Sequence, residues 1–113
     1  MTDRELLEAA AKAAGIDYDV DSVEQMWTPS IPENGGKSYL QNLWNPLKDD
    51  GDALRLAVTL RIVIDFWLSP HLGMAGTVNF GKYKDAIFIS EQDIQESTRR
   101  AIVRAAAEIW RKK

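Results

Sequence analysis

Four aspartates near the middle of the chain have the side chains best suited to metal chemistry. Asp49, Asp50 and Asp52 stand close together, and Asp65 follows in the next apolar stretch. Because hard cations such as Mg²⁺ bind carboxylate oxygens, the four could support a metal-assisted hydrolase. The positive end of a helix attracts the same side chains without any metal. We interpret the first three as helix-capping residues, assign no metal site and rank the hydrolase as the remotest functional hypothesis.

A second acidic group, Asp17, Asp19 and Asp21, alternates like the first three ligands of a calcium-binding loop. The glycine that such a loop needs next is Ser22 here, and its bidentate glutamate position holds Thr28. The pattern therefore fails where the geometry is most demanding. We interpret the stretch, which continues to Glu24, as a solvated acidic turn.

No catalytic set is visible among the remaining reactive residues. The chain has one histidine, His71, in a loop-like context, and it has no cysteine. A general base needs a nucleophile and an orienting acid beside it, which this pattern does not identify. The segment from Gly81 to Lys84 matches neither a Walker loop nor a dinucleotide fingerprint. We therefore expect a non-enzymatic protein without a cofactor.

Tryptophan is unusually frequent for a chain of this length, with four residues in 113. Most should fill the core, but tryptophan is also enriched at binding hot spots. Trp27 precedes a long stretch rich in proline and glycine, and Trp67 lies opposite the apolar face of its predicted strand. The predicted contact surface for a protein partner comprises these two residues and the acidic side chains Asp17, Asp19, Asp21 and Glu24.

Charge is distributed unevenly along the chain, whose net charge is −3. Residues 1–36 carry eight acidic and two basic side chains, whereas residues 97–113 carry six basic side chains and one acidic. Arg100, Arg104 and Arg111 give the alternative hypothesis, contact with nucleic acid. Cations near a helix C-terminus have a structural explanation, and no nucleic-acid module accompanies them. We expect a protein partner rather than nucleic acid.

Three helices are predicted from capping signals and helical spacing. Thr2 with Glu5 forms a capping box before a helix that Gly15 ends. An N-cap aspartate begins a second helix at about Asp50, which runs to Leu60. A third helix runs from a start at Ser90 to Arg111.

Five strands are predicted from alternating or β-branched stretches, with Asn34 and Gly35 in a turn after the first. Their predicted ranges are Val23–Trp27, Tyr39–Trp44, Ile62–Trp67, Thr77–Phe80 and Ala86–Ile89. The order α-β-β-α-β-β-β-α predicts an α+β layered sandwich, in which three helices pack on one mainly antiparallel sheet of about five strands.

The predicted setting is a single domain, 1–113, in the cytoplasm. Its length suits one hydrophobic core, and the absence of cysteine fits a reducing compartment. Charged residues in the first fifteen positions argue against a signal peptide. The most apolar stretch is too short to cross a membrane.

Three stretches resemble a known family. These are WNPLKDDGDALRLAV from Trp44 to Val58, TDRELL from Thr2 to Leu7, and TRRAIVRAAAE from Thr98 to Glu108. Together they are similar to the small proteins of tailed phages and prophages described as the phage α/β/α (ABA) sandwich domain. The resemblance covers about a third of the chain. It implies a phage or prophage accessory protein, with no catalytic residues to transfer, that binds a host or phage protein; the oligomeric state stays open.

Overall fold

The computed structural model describes residues 2–20, 25–30, 38–69, 73–80, 83–88 and 94–112. The helices are α1 (Asp3–Ala14), α2 (Asp50–Leu60) and α3 (Ile94–Arg111). Between α1 and α2 lie β1 (Asp19–Val20), β2 (Met26–Ser30) and β3 (Ser38–Leu43), and between α2 and α3 lie β4 (Val63–Ser69), β5 (Gly73–Phe80) and β6 (Tyr83–Phe88). The predicted α+β class with three helices is confirmed.

The prediction of one sheet of about five strands is wrong. The described strands form two antiparallel sheets of three, a first sheet in the order β1-β2-β3 and a second sheet in the order β4-β5-β6. The strand β1 occupies part of the stretch predicted as an acidic turn, and two residues are too few to show an alternating pattern. Alternation predicts strands but not their partners, and α2 separates the two groups along the chain.

Breaker residues caused most errors in the predicted strand bounds. The strand β2 continues through Pro29, and the pairing of β2 with β3 shifts register between Thr28 and Ser30, where a residue without an N–H is tolerated. The strands β5 and β6 begin at Gly73 and Tyr83, both within predicted breaker or turn segments, because each pairs along its full length. The Asn34–Gly35 turn and the predicted helix start at Ser90 lie outside the described residues.

The caps of the first two helices are confirmed. The Glu5 amide donates to the Thr2 hydroxyl over 3.1 Å, and the Thr2 amide donates to the Glu5 carboxylate over 3.5 Å. Gly15 then ends α1 in the left-handed conformation, with φ of 69°. Asp49 begins α2 by accepting a 2.8 Å hydrogen bond from the Asp52 amide.

The core forms where α3 contacts most of the other elements. The helices α1 and α3 contact each other and both contain buried alanines, and α3 also packs on β5, β6 and α2. The first sheet reaches this core at its base, where the Trp44 amide donates to the Met26 carbonyl over 2.8 Å and both side chains are buried. Farther along the same hairpin, Leu43 is exposed.

The end of α2 carries backbone strain. Arg61 has φ of 57° and ψ of 42°, and its amide donates to the Ala57 and Val58 carbonyls. Glycine usually occupies this left-handed position because a β-carbon there approaches the following carbonyl. Arg61 is thus a non-glycine residue held in a conformation that its neighbours impose.

We expect Arg61→Gly to be more stable than Arg61→Ala by about 1 kcal/mol, because only glycine removes the β-carbon from the left-handed position. Urea unfolding followed by circular dichroism measures this difference. Both variants lose the same charge, so the comparison isolates backbone strain. Equal midpoints for the two variants would contradict the explanation.

Candidate functional site

The strand β4 lies at an edge of the second sheet and has two different faces. It pairs with β5 along its whole length, from Val63 opposite Asn79 to Ser69 opposite Gly73. Ile64 and Phe66 face the helices, since both line a cavity together with residues of α2 and α3. Because side chains alternate along a strand, Val63, Asp65 and Trp67 belong to the opposite face, which we call the outer face.

The helix-facing side of β4 borders an open groove of about 310 Å³. We call it the α2–β4 groove. Its apolar lining comes from α2 (Ala53, Leu54), β4 (Ile64, Phe66) and α3 (Ile94, Ile102). Leu54 exposes 60% of its surface, and Val58, one turn along the same face of α2, exposes 68%. The groove and its rim therefore form an apolar surface that the described chain leaves largely uncovered.

A fixed polar cluster closes the groove at the start of α2. The Arg99 guanidinium donates to the Asp50 carboxylate over 2.6 Å and to the Leu47 carbonyl over 3.0 Å. The Arg99 side chain is mostly buried, so this hydrogen-bonded arrangement holds the first turn of α2 against α3.

The ring of Phe66 covers the backbone of the central strand. A β-carbon added at Gly76 would lie 2.6 Å from the Asp65 carbonyl oxygen and 3.0 Å from the Phe66 ring. Glycine at this position thus allows the ring to approach the backbone of β5 closely beside the groove. Phe66 still exposes 48% of its surface.

The outer face of the second sheet exposes Trp67, one of the two tryptophans predicted for partner contact. Trp67 exposes 48% of its surface, and Val63 on the same face is also exposed. Among the described elements, the helix that packs on this sheet is α3, which lies on the other face. Trp67 is thus the largest aromatic side chain that the described part of the sheet presents to solvent.

The other predicted contact residues lie on the first sheet. Asp19 and Trp27 are Cα partners in the pairing of β1 with β2, so the structure brings these two together. Asp17 and Asp19 are exposed, whereas Trp27 is half-buried. Asp21 and Glu24 lie outside the described residues. Trp27 and Trp67 are therefore on different sheets, in β2 and β4.

Carboxylates already accompany two of the three arginines proposed for nucleic acid. Arg100 donates to both Asp3 carboxylate oxygens, over 2.9 and 3.4 Å, and Arg111 donates to Glu108 over 2.7 Å. Arg104 is exposed and forms no ion pair within the described ranges. The acidic N-terminal part of the chain thus meets the basic C-terminal part, which reduces the charge asymmetry seen in the sequence.

The hydrogen bond from Arg100 lowers the pKa of the Asp3 carboxyl below its ordinary value; desolvation opposes this effect, and the charges of Arg100 and Lys48 lower the pKa further. The same hydrogen bond raises the pKa of Arg100. Both groups line a polar cleft of about 340 Å³ between the starts of α1 and α3, which also contains Arg4, Lys48 and Glu96. The pair joins the first and last helices.

The aspartates proposed for metal chemistry have structural partners. Asp49 caps α2, Asp50 pairs with Arg99, and Asp52 accepts from the Asn45 amide over 3.0 Å and from Arg55 over 2.7 Å. Asp65 lies on the outer face of β4, away from the groove. Within the described ranges, no three acidic or histidine side chains are grouped so that they could hold a metal ion. His71 lies outside those ranges.

No protein-family model, curated protein sequence or solved structure matches this chain. The resemblance to the phage α/β/α sandwich domain therefore remains a proposal. Of the helices in the described part of the chain, none is both long and apolar enough to cross a membrane.

Sequence reasoning missed the groove, although α2 carried a signal for it. The buried residues Ala53, Leu56 and Ala57 account for one face of α2, yet Leu54 and Val58 place further apolar side chains on another. A helix that is apolar on more than one face is expected to be covered on both. In the described part of the chain, only one of the two apolar faces of α2 is covered.

We expect Asp3→Asn to lower the free energy of unfolding at pH 7 by at most about 1 kcal/mol, as is usual for an exposed ion pair. The folded-state pKa of Asp3 is lowered, so the pair stabilises the fold above the ordinary aspartate pKa and loses this effect as pH falls through the lowered value. The difference between the variant and the wild type should therefore shrink below about pH 4. Urea unfolding at several pH values measures it.

Asp3 also lies in the first turn of α1, where any carboxylate is favourable. A double-mutant cycle with Arg100→Gln separates the two effects, because only the ion pair depends on both residues. A coupling free energy that does not change between pH 7 and pH 3 would contradict the assignment of the lowered pKa to Arg100.

Proposed function

We propose that this chain is a non-enzymatic protein-binding module whose partner docks on the outer face of β4 around Trp67. The observation that carries the proposal is the exposure of Trp67 beside Val63 on a sheet face that no described helix packs against. A half-exposed tryptophan on a rigid strand offers a large contact area at a low cost in side-chain entropy. Protein partners commonly use such residues as anchors.

The structural roles of the charged residues support binding over the other hypotheses. Three of the four candidate metal-binding aspartates are engaged in capping or ion pairs, which reduces the case for a hydrolase. Arg100 and Arg111 are paired with carboxylates, so a phosphate would have to compete with existing hydrogen bonds. Arg104 is the arginine that favours the nucleic-acid alternative, because it is exposed without such a partner in the described ranges.

The biological setting rests on the resemblance alone. The stretches Trp44–Val58, Thr2–Leu7 and Thr98–Glu108 support a phage or prophage accessory protein that works in the cytoplasm of the bacterial host. Its partner would then be a host or phage protein.

The first test is capture of proteins from bacterial lysate on the immobilised full chain, before and after nuclease treatment, with mass spectrometry as the readout. We expect Trp67→Ala to reduce capture of the partner at least about thirtyfold, as loss of a hot-spot residue of 2 kcal/mol or more does. Trp110→Ala is the matched control, since Trp110 is similarly exposed but lies on α3.

A partner retained after nuclease treatment and lost with Trp67→Ala supports the proposal. Equal capture by the two tryptophan variants would place the contact elsewhere. Capture that disappears with nuclease and weakens steeply with salt would favour the nucleic-acid alternative, with Arg104→Ala as the next variant.

A further inference from the structure

We propose that the α2–β4 groove receives an extended segment of the partner protein, which joins the second sheet as a fourth strand beside β4. The inference rests on the proposed function and names the chemistry of the partner. It concerns the edge and helix-facing side of β4, whereas the proposed function rests on the outer face. The two can therefore fail separately.

The backbone of β4 is the first reason. The strand is seven residues long, its register with β5 has no shift, and it contains no proline, lysine or arginine. Short length, bulges, proline and charged side chains such as lysine are the features by which natural proteins protect an edge strand from further pairing, and β4 lacks them at its edge. In the first sheet, by contrast, the part of β2 that extends beyond its pairing with β1 contains both Pro29 and a register shift. No strand in the described part of the chain pairs with the other side of β4, so its outward N–H and C=O groups match an extended segment.

The α2–β4 groove is the second reason. An added strand would lie about 4.8 Å from β4 and would point every second side chain toward the helices. Those side chains would meet Leu54 and Val58, which are among the most exposed large apolar residues of the described chain. Apolar residues at positions i and i+2 of the segment would bury this surface beside Phe66.

The charge of Arg61 indicates which residues of the partner segment should follow its apolar positions. Arg61 is exposed at the start of β4 and forms no ion pair with a described residue. Antiparallel pairing, the commoner arrangement, would bring the C-terminal end of the segment to this arginine. A glutamate, an aspartate or a terminal carboxylate is complementary there. We therefore expect a segment with apolar residues at positions i and i+2, followed on its C-terminal side by an acidic group.

A second copy of this chain fits less well. In an antiparallel pair of two β4 strands, the C-terminal end of β4 in one copy would approach Arg61 of the other. That end consists of Leu68 and Ser69 and contains no acidic side chain. The charge argument thus favours a different protein over self-association, and the test below separates them.

The experiment is selection of displayed ten-residue random peptides on the immobilised full chain. We expect enrichment of peptides with large apolar residues at alternate positions and a carboxylate on their C-terminal side. Selection on Arg61→Glu should retain the apolar alternation and lose the acidic preference, because the charge at the groove end is reversed.

Val58→Glu and Thr59→Glu are the matched pair of variants. Both residues are adjacent and exposed on α2, and both substitutions add the same charge, but Val58 shares its face with the groove residue Leu54. Affinity for a selected peptide, measured by fluorescence anisotropy, should fall at least about tenfold with Val58→Glu and less than about threefold with Thr59→Glu. Circular dichroism of each variant checks that the fold is retained.

Three outcomes of the peptide experiments would overturn the inference, and a fourth comes from light scattering. The first is a consensus with apolar residues at helical spacing, the second is no enriched consensus, and the third is equal affinity for the two glutamate variants. Concentration-dependent dimerisation in light scattering that Val58→Glu abolishes would assign the groove to a second copy and also overturn it. Lysate capture that depends on Trp67 would leave the proposed function standing in each case.

Discussion

Alanines along α1 and α3 let these two helices pack closely, and the arrangement of the other elements depends on this contact. Ala9, Ala10 and Ala11 of α1 and Ala105, Ala106 and Ala107 of α3 are almost completely buried. Small side chains at a helix contact reduce the distance between the axes, so larger residues here would separate the helices. The helix α3 also carries β5 and β6 on another side and contacts α2. Displacing it would therefore disturb both the second sheet and the groove.

The same arrangement explains why β4 is left exposed. The helix α3 has 18 residues, a length of about 27 Å, and it packs mainly on β6 and β5 of the second sheet. The helix α2 follows beside α3, and the short connection from Leu60 through Ile62 brings the chain directly into β4. One helix thus covers two strands of a three-stranded sheet. The exposure of apolar side chains on α2 and β4 follows from this geometry. Both proposals rest on these exposed side chains.

Local signals predicted the helices well because caps act within a single turn. The Thr2 and Glu5 capping box, Gly15 and Asp49 each make the hydrogen bonds that their spacing indicates. The sheets were harder, since strand pairing joins residues far apart in sequence and several breaker residues lie inside strands. Pro29 and Gly73 both suggested loops, yet Pro29 is accommodated at a register shift within β2, and Gly73 pairs with Ser69 of β4. No sequence pattern predicted the left-handed backbone conformation of Arg61. For the candidate surface, the sequence singled out Trp27 and Trp67 but could not show that the two lie on different sheets.

The single charge in β4 lies on one of the two surfaces on which the proposals rest. Asp65 lies on the outer face between Val63 and Trp67. Its carboxylate makes it unfavourable for the outer faces of two molecules to stack on each other. It offers no protection at the edge, because its side chain points away from the backbone groups that an added strand would use. An edge without protection is a hazard for aggregation unless a partner covers it. A partner that inserts a strand beside β4 and contacts Trp67 would remove that hazard and bury the exposed residues of α2 in the same step. Because exposed apolar side chains lie on both sides of one strand, the two proposals are compatible with a single partner.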